Sequence, residues 1–494
     1  MRSTIHFRSF SFVLAILLCA GAGVSGAQVD TVYLTLQQCI RNARTSGPSG
    51  AMARSAYESK ESGYHSFAAA NFPQLSLSGE VPGYSRSIIP IILPDGTTVF
   101  TPQSQASSSV SLSLTQRIPW TGGELSLSSG LNRIDLMESR SQYYRSNPLT
   151  MMLRQPLFQI NTMRWDQEDR ELRYRMASRE FAEEMEECAL DVTNKFFDLY
   201  LALMNSANAS LNLAINDTLY KISTGRYNVG KIAENDLLQS ELAYLNAQTQ
   251  LENANVGLHR SEENLRVAIG VSAGTSIMLL PPSRIPGTVI DPSLALAQAR
   301  ENRSDAIGFG LQRLTAERRV MQAKSDNSFN ATMTASLGYN QRAPVLPDAY
   351  NNLLNQQQFS LGFSIPIFRW GAGSSAVDAA LADQKRTETS VDQQLHDFEQ
   401  EVLYQAARLN LLGKQVAVSA KSDTIAQRRF DVAKERYLIG KIDIPNLFLA
   451  QSEKDNARRA SIQTLWDYWS TFFRVRRLTL YDFEAGEPLT IPEE

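Results

Sequence analysis

Arg226-Tyr227-Asn228-Val229-Gly230-Lys231-Ile232 returns as Arg436-Tyr437-Leu438-Ile439-Gly440-Lys441-Ile442, displaced by 210 residues. Upstream, Gln155-Pro156-Leu157-Phe158 returns as Ile365-Pro366-Ile367-Phe368 at the same displacement. Two landmarks repeated at one fixed distance mark an internal duplication. Nearer the start of each half, Ala43-Arg44 matches Ala299-Arg300 at 256, so the first half carries 46 extra residues between about 80 and 150. The chain therefore divides into a first repeat at 28–270, a linker at 271–290, a second repeat at 291–480 and an acidic tail at 481–494. The linker runs from Leu280-Pro281-Pro282 to Pro286-Gly287.

Between the landmarks of each half lies a long proline-free helical pattern. Val391, Phe398 and Leu412 form one seven-residue line, interrupted by Gln405, and Leu395, Val402, Leu409 and Val416 form the other. Phe181 and Cys188, with Met185, Val192 and Leu199, are their counterparts in the first half. Such alternating three- and four-residue spacing is a coiled-coil seam. The stretch from Thr162 to Thr224 predicts a helix of roughly 90 Å at ~1.5 Å per residue. After Gly230 and Gly440 a second helix returns, about Ala233–Ile269 and Pro445–Leu480, with Pro445 at a helix start where its missing N–H costs little. Shorter helices precede the strands, about Gly50–Ala70 and Asp305–Ala323; placed end to end, a short and a returning helix match one long helix in length.

The strand patterns alternate with period two. Phe359, Leu361, Phe363, Ile365 and Ile367 are separated by Ser360, Gly362, Ser364 and Pro366. Leu75 and Leu77, then Val110, Leu112 and Leu114, then Leu125 and Leu127 alternate mostly with serine. From Gln74 to Ile118 only Glu80, Arg86, Asp95 and Arg117 are charged, so one face is apolar and the other neutral and polar. Strands of that kind suit a membrane barrel wall better than the charged outer face of a soluble sandwich. Trp120, Trp165 and Trp370 flank them, as interfacial aromatics do. Within the insertion, Ser107–Ile118 and Glu124–Leu131 flank the turn Pro119-Trp120-Thr121-Gly122-Gly123. This extra hairpin adds wall strands or lies outside the membrane as an extracellular cap.

Composition alone points elsewhere. With 494 residues, 43% hydrophobic and 20% charged, net charge −3 and mean hydropathy −0.25, the chain reads as several soluble domains. Its three cysteines exclude a disulfide scaffold, and the near-balanced charge argues against a nucleic-acid binder. The N-terminus corrects this reading. Arg2 and Arg8, the apolar run Phe10–Ala20 and the small residues Ser25-Gly26-Ala27 predict a secretory signal peptide at 1–27. A lipoprotein reading at Cys19 is weaker, because bulky Leu18 precedes it. Cys39 and Cys188 remain, expected as buried free thiols.

Catalytic patterns are absent from the sequence. His65, His259 and His396 are scattered, with no metal-protease, nucleophile-elbow or phosphate-loop motif nearby. Gly371-Ala372-Gly373-Ser374-Ser375-Ala376 imitates a dinucleotide fingerprint, but a helical pattern simply continues after it. Gly371 and Gly373, with Pro156 and Pro366, are better read as strand-to-helix junctions, the glycines forming a flexible joint. No enzyme activity, cofactor or metal is expected.

The leader, the duplicated order helix–strand–strand–helix–helix, the Gln155-Pro156-Leu157-Phe158 junction and the Arg-Tyr-x-x-Gly-Lys-Ile tips together resemble the TolC-like outer-membrane efflux protein (outer membrane factor) family, from about Leu34 to Tyr481. The resemblance implies an α+β membrane protein: a homotrimer with one shared β-barrel in outer-membrane lipid and a long α-helical coiled-coil tunnel through the periplasm of a Gram-negative cell. Open strand edges in one protomer are a physical reason for such closure. The implied function is a passive exit duct in a tripartite efflux or type I secretion system. Its partners would be a periplasmic adaptor and an inner-membrane transporter of RND, ABC or MFS type, with no nucleic acid.

By position, the resemblance assigns the adaptor-docking tips to Val229, Gly230, Lys231, Ile439, Gly440 and Lys441. Glycine as a plain helix terminator accounts for the two tip glycines equally well. The periplasmic gate candidates are Asp236, Tyr227, Tyr437 and Asn446. The second repeat departs from relatives here, with Asn446 and Leu449 where they carry aspartates and Ile442 in place of a basic residue, implying a less acidic constriction. A competing expectation is a non-conducting periplasm-spanning coiled coil, a tether or adhesin; it leaves the charge-poor strands without a role.

Overall fold

The computed structural model describes residues 31–272, 276–282, 285–287, 289–439, 441–442 and 444–489. The expected signal peptide, Cys19, Gly440 and the end of the acidic tail lie outside the described residues.

The first half contains β1 (Thr31–Thr35), α1 (Leu36–Thr45), α2 (Pro48–Ala69), β2 (Gln74–Ile92), β3 (Thr98–Ile118), β4 (Gly123–Leu136), β5 (Ser141–Leu157), α3 (Thr162–Asn228) and α4 (Glu234–Ile269). The second half contains β6 (Ser276–Leu280), α5 (Pro292–Asn302), α6 (Ser304–Asp326), β7 (Asn330–Ala343), β8 (Leu354–Ser364), α7 (Ala372–Leu438) and α8 (Ile444–Thr479). A hairpin of β9 (Tyr481–Asp482) and β10 (Glu487–Pro488) follows. The duplication holds to the residue in the helices: α3 and α7 are both 67 residues long, α4 and α8 both 36, and each pair begins 210 positions apart. At ~1.5 Å per residue the long helices extend about 100 Å.

Three features go beyond the sequence pattern. Of the two places open to the extra hairpin, the sheet holds it: β3 and β4 are paired strands within it. That sheet runs β2-β3-β4-β5-β7-β8, antiparallel throughout, and the inserted hairpin is paired on both sides. An unpaired hairpin would leave its backbone groups unsatisfied in lipid, whereas one inserted in the ladder satisfies them. Strand β8 ends at Ser364, short of the alternation through Ile367, since Pro366 has no N–H for a ladder. Finally, the linker and tail are structured in part. Strand β6 pairs in parallel with β1, and β9 pairs antiparallel with β10.

The helices form a row. Toward the tips the order is α4–α3–α8–α7, and nearer the sheet it is α2–α3–α6–α7. Between these layers lies a belt in which residues of β1, α1, α5, α8 and the middle of α3 share one buried cluster. Phe196, Phe197 and Leu199 are fully buried there with Leu265, Cys39 and Val402. Cys39 and Cys188 are free and buried, and burial pushes the Cys39 thiol up to about 12. One ion cluster ties the halves together. Glu186 on α3 accepts from Arg44 on α1 (2.7 Å) and from Arg476 on α8 (3.1 Å), and Arg476 also reaches Asp482 (2.5 Å). Burial alone would lower the Arg476 pKa, but Glu186 and Asp482 outweigh it and hold the guanidinium above its ordinary value.

Candidate functional site

The sheet is built inside out relative to a soluble protein. Cross-strand register places Leu75, Leu114, Leu127, Met151 and Leu337 in one row on one face. The next rows on the other face carry Ser76, Ser113, Ser128, Thr150 and Gly338, then Thr115, Ser126, Met152 and Ser336. Leu337 is 59% exposed while its neighbour Ser336 is 5% exposed. On β3, Val110, Leu112 and Leu114 are exposed and the intervening Ser111 and Ser113 are half-buried. Hydroxyl pairs bridge the strands on the polar face, Ser76 to Ser113 and Ser78 to Ser111, both at 2.8 Å. An apolar face that wide has no stable place in water. In a bilayer the same face is the favoured one, and the hydroxyl face then turns to an aqueous interior.

Aromatic side chains ring the helical end of the sheet. Phe72, Trp120, Phe158, Phe368 and Trp370 are all largely exposed there, the position of an interfacial girdle. Trp165 is half-buried on the first turn of α3. The strand-to-helix junctions differ between the halves. Pro156 sits inside β5 opposite Thr332, whereas Pro366 lies beyond the end of β8. Phe158 (φ 62°) ends β5, and Trp370 (φ 52°) with Gly371 (φ 85°) turns the chain into α7. Gly373 is a close-packing position rather than a loose hinge. A Cβ there would stand 2.6 Å from Asn327 Oδ1, which accepts from Arg369 (2.8 Å). The fingerprint-like glycines follow an antiparallel strand, so the parallel neighbour a dinucleotide site requires is not beside them.

At the first tip, Gly230 takes φ 69° with open space around it, so conformation rather than crowding selects glycine. Lys231 N donates to Arg226 O (2.9 Å), closing the end of α3. The second tip repeats this bond, Lys441 N to Arg436 O at 2.9 Å. Val229 and Ile439 are each 66% exposed at the two apices, beside exposed Lys231 and Lys441. The gate candidates are not alike. Asp236 is exposed in the first turn of α4, Tyr227 is exposed at the end of α3, and Asn446 is exposed on α8. Tyr437 instead packs with Ile215 and Ile442 against Phe430, Leu447 and Ala450. Among the described residues, no hydrogen bond joins Asp236 to either tyrosine within one chain.

Two apolar stripes remain uncovered, one at each end of the helix row. Along α7 and onto its C-terminal cap, Tyr404, Leu411, Val418, Ile425, Val432 and Ile439 recur every seven residues, all exposed. On α4 the stripe is Leu238, Leu242, Leu245 and Val256. The sequence reading found the buried seam of α7 and missed this second line, although its seven-residue spacing was the available signal. The sheet ends on the same sides: β2 is the open strand of the first half and β8 that of the second. Among the described residues no helix is long and apolar enough to cross a membrane, and no group of His, Cys, Asp and Glu side chains could hold a metal ion.

An amphipathic antiparallel sheet continued by ~100 Å helices defines a class: an outer-membrane channel protein whose helices reach into the periplasm. More particularly, the chain belongs to the outer membrane efflux protein family, whose model matches residues 103–271 and 295–479. It is thus a protein of the Gram-negative outer membrane. No curated protein matches the sequence. Among solved structures, the Campylobacter jejuni CmeC outer membrane channel is similar at 16% identity and TM-score 0.65, over 93% of this chain and 87% of that one. VceC from Vibrio cholerae is similar at 14% identity and TM-score 0.62, over 92% and 96%. The open state of Neisseria gonorrhoeae MtrE is similar at 15% identity and TM-score 0.58, over 90% and 88%. These likenesses establish the fold.

Proposed function

We propose that three copies close into one duct that conducts substrates from an inner-membrane transporter and a periplasmic adaptor to the cell exterior. The observation that carries this reading is the matched pair of open sides. One side of the chain presents β2 and the α4 stripe, and the other presents β8 and the α7 stripe. Pairing β8 of one copy with β2 of the next extends the antiparallel ladder, and the same rotation brings the α7 stripe onto the α4 stripe. A head-to-tail contact of this kind closes as a ring when the rotation from copy to copy divides the full turn. The ring of three is the form that the family resemblance implies. A tether or adhesin without a pore gives the serine face nothing to line.

The helical tips, Val229–Lys231 and Ile439–Lys441, are the adaptor-docking surface in this reading. Asp236, Tyr227, Tyr437 and Asn446 narrow the periplasmic mouth. The inner-membrane transporter, of RND, ABC or MFS type, supplies the energy for efflux or type I secretion. The deciding variant is Val418→Asp with Ile425→Asp. Wild-type protein should run as an SDS-resistant, heat-modifiable oligomer and conduct in planar bilayers, and the double variant should lose both properties. Recovery of the wild type as a soluble or fibrous, non-conducting species would sink the duct. At the gate, Asp236→Ala changes the conductance of the closed channel, and an unchanged conductance removes Asp236 from that role.

A further inference from the structure

The outer half of the hydroxyl face carries an unusual pair. Arg145 on β5 stands directly opposite Arg342 on β7. Like charges opposed across a ladder are unfavourable. The register continues the row through Asn132 and Ser109 to Glu80 on β2, the one acidic member. Glu80 is three strands from Arg145, roughly 14 Å at ~4.8 Å per strand, beyond a Debye length of ~8 Å at physiological salt. Among the described residues no carboxylate lies within ion-pair distance of Arg145 or Arg342. The Arg342 guanidinium rests instead on the Tyr143 ring, 3.7 Å from its centroid. That contact is a diagonal one on the same face, so it fixes which face the arginine occupies. On the opposite face at the same height, Arg133 is neutralised by Asp135 (2.9 Å).

Both arginines sit close to the loops at the end of the sheet remote from the helices, at 137–140 and 344–353. Lower on the same hydroxyl face the row Arg117, Glu124 and Arg154 adds a further net positive charge. We infer that Arg145 and Arg342 make the outer mouth of the lumen an anion-selective ring, favouring anionic solutes over cations of equal size. This rests on the duct reading, in which the hydroxyl face lines the lumen; three copies then present six arginines. Unpaired guanidinium groups held around a polar pore are the arrangement that selects anions elsewhere.

The experiment is the reversal potential of reconstituted channels in a potassium chloride gradient at low ionic strength, where screening is weak. It compares wild type, Arg145→Gln with Arg342→Gln, and Arg133→Gln. Inositol hexakisphosphate added from each side serves as a blocking probe. The expected result is a chloride preference in the wild type and block from the loop side. Both diminish in the Arg145/Arg342 variant and persist in the Arg133 variant. Channels that prefer potassium in the wild type, or that are unmoved by the double exchange, overturn the ring and leave the duct standing. An oligomer that forms no channel in any variant overturns the duct itself, and the ring with it.

Discussion

The sheet and the helical belt use the same apolar residues with opposite sidedness. In the belt, Phe196, Phe197 and Leu199 are buried, and the charged group among them, Glu186, is matched by two arginines. In the sheet, Leu112 on β3 and Leu337 on β7 are exposed, and the serines beside them, Ser111, Ser113 and Ser336, are the better covered. Hydrophobicity alone does not separate the two regions; period does. A 3.5-residue repeat turns one helix stripe inward. A two-residue repeat gives each strand two complete faces, and the solvent on each side decides their polarity.

The largest expected effect tests the belt as a closed protein core. Glu186→Ala breaks the buried pair with Arg476, leaving that guanidinium to Asp482 alone and half-buried Arg44 without a carboxylate, and should cost about 3–5 kcal/mol. Urea unfolding of the detergent-solubilised protein measures it, and a loss below ~1 kcal/mol would mean that water already reaches the belt. Next comes the sheet. Leu337→Arg should cost about 2–4 kcal/mol in lipid vesicles, while Ser128→Arg on the other face stays within about 1 kcal/mol. Equal penalties would erase the difference between the faces.

At the seam between the regions, Gly373→Ala forces a Cβ against Asn327 and should destabilise by about 1–3 kcal/mol. Adding Asn327→Ala should recover much of that loss, which thermal unfolding of the double variant would reveal. The smallest effect concerns pH. Burial raises the Glu183 carboxyl above its ordinary 4.5, although the Ser304 amide and Arg303 oppose the shift. The folded state therefore holds this proton longer than the unfolded state does. Its contribution to stability falls as pH rises from about 4.5 through the higher folded value. Glu183→Gln should flatten that slope in a pH series of unfolding curves.

Much of this contrast was legible in sequence. The seam at Val391, Val402 and Leu409 and the serine alternation at Leu112 and Leu114 separated helix from strand, because both rest on local period. The pairing of β1 with β6 was not legible, since five-residue strands more than 240 positions apart leave no local mark. Nor was the early end of β8, where one proline overrides an otherwise unbroken alternation. The two tip tyrosines show the same limit. Tyr227 and Tyr437 occupy equivalent places in the repeat, yet only Tyr437 has Ile215, Phe430 and Leu447 around it.

The inserted hairpin has a further consequence for the bore of the proposed ring. Three copies of a six-stranded sheet give eighteen strands, which at ~4.8 Å spacing and ~40° tilt trace a circumference of about 110 Å. The helix row contributes four helices per copy, and twelve helices at ~8–10 Å spacing trace roughly 100–120 Å. Without β3 and β4 the strands would trace only about 75 Å, and the duct would taper where helix meets strand. In the proposed ring the extra 46 residues would bring the strand rim close to the helix rim in circumference, so the wall would pass from helix to strand without a step.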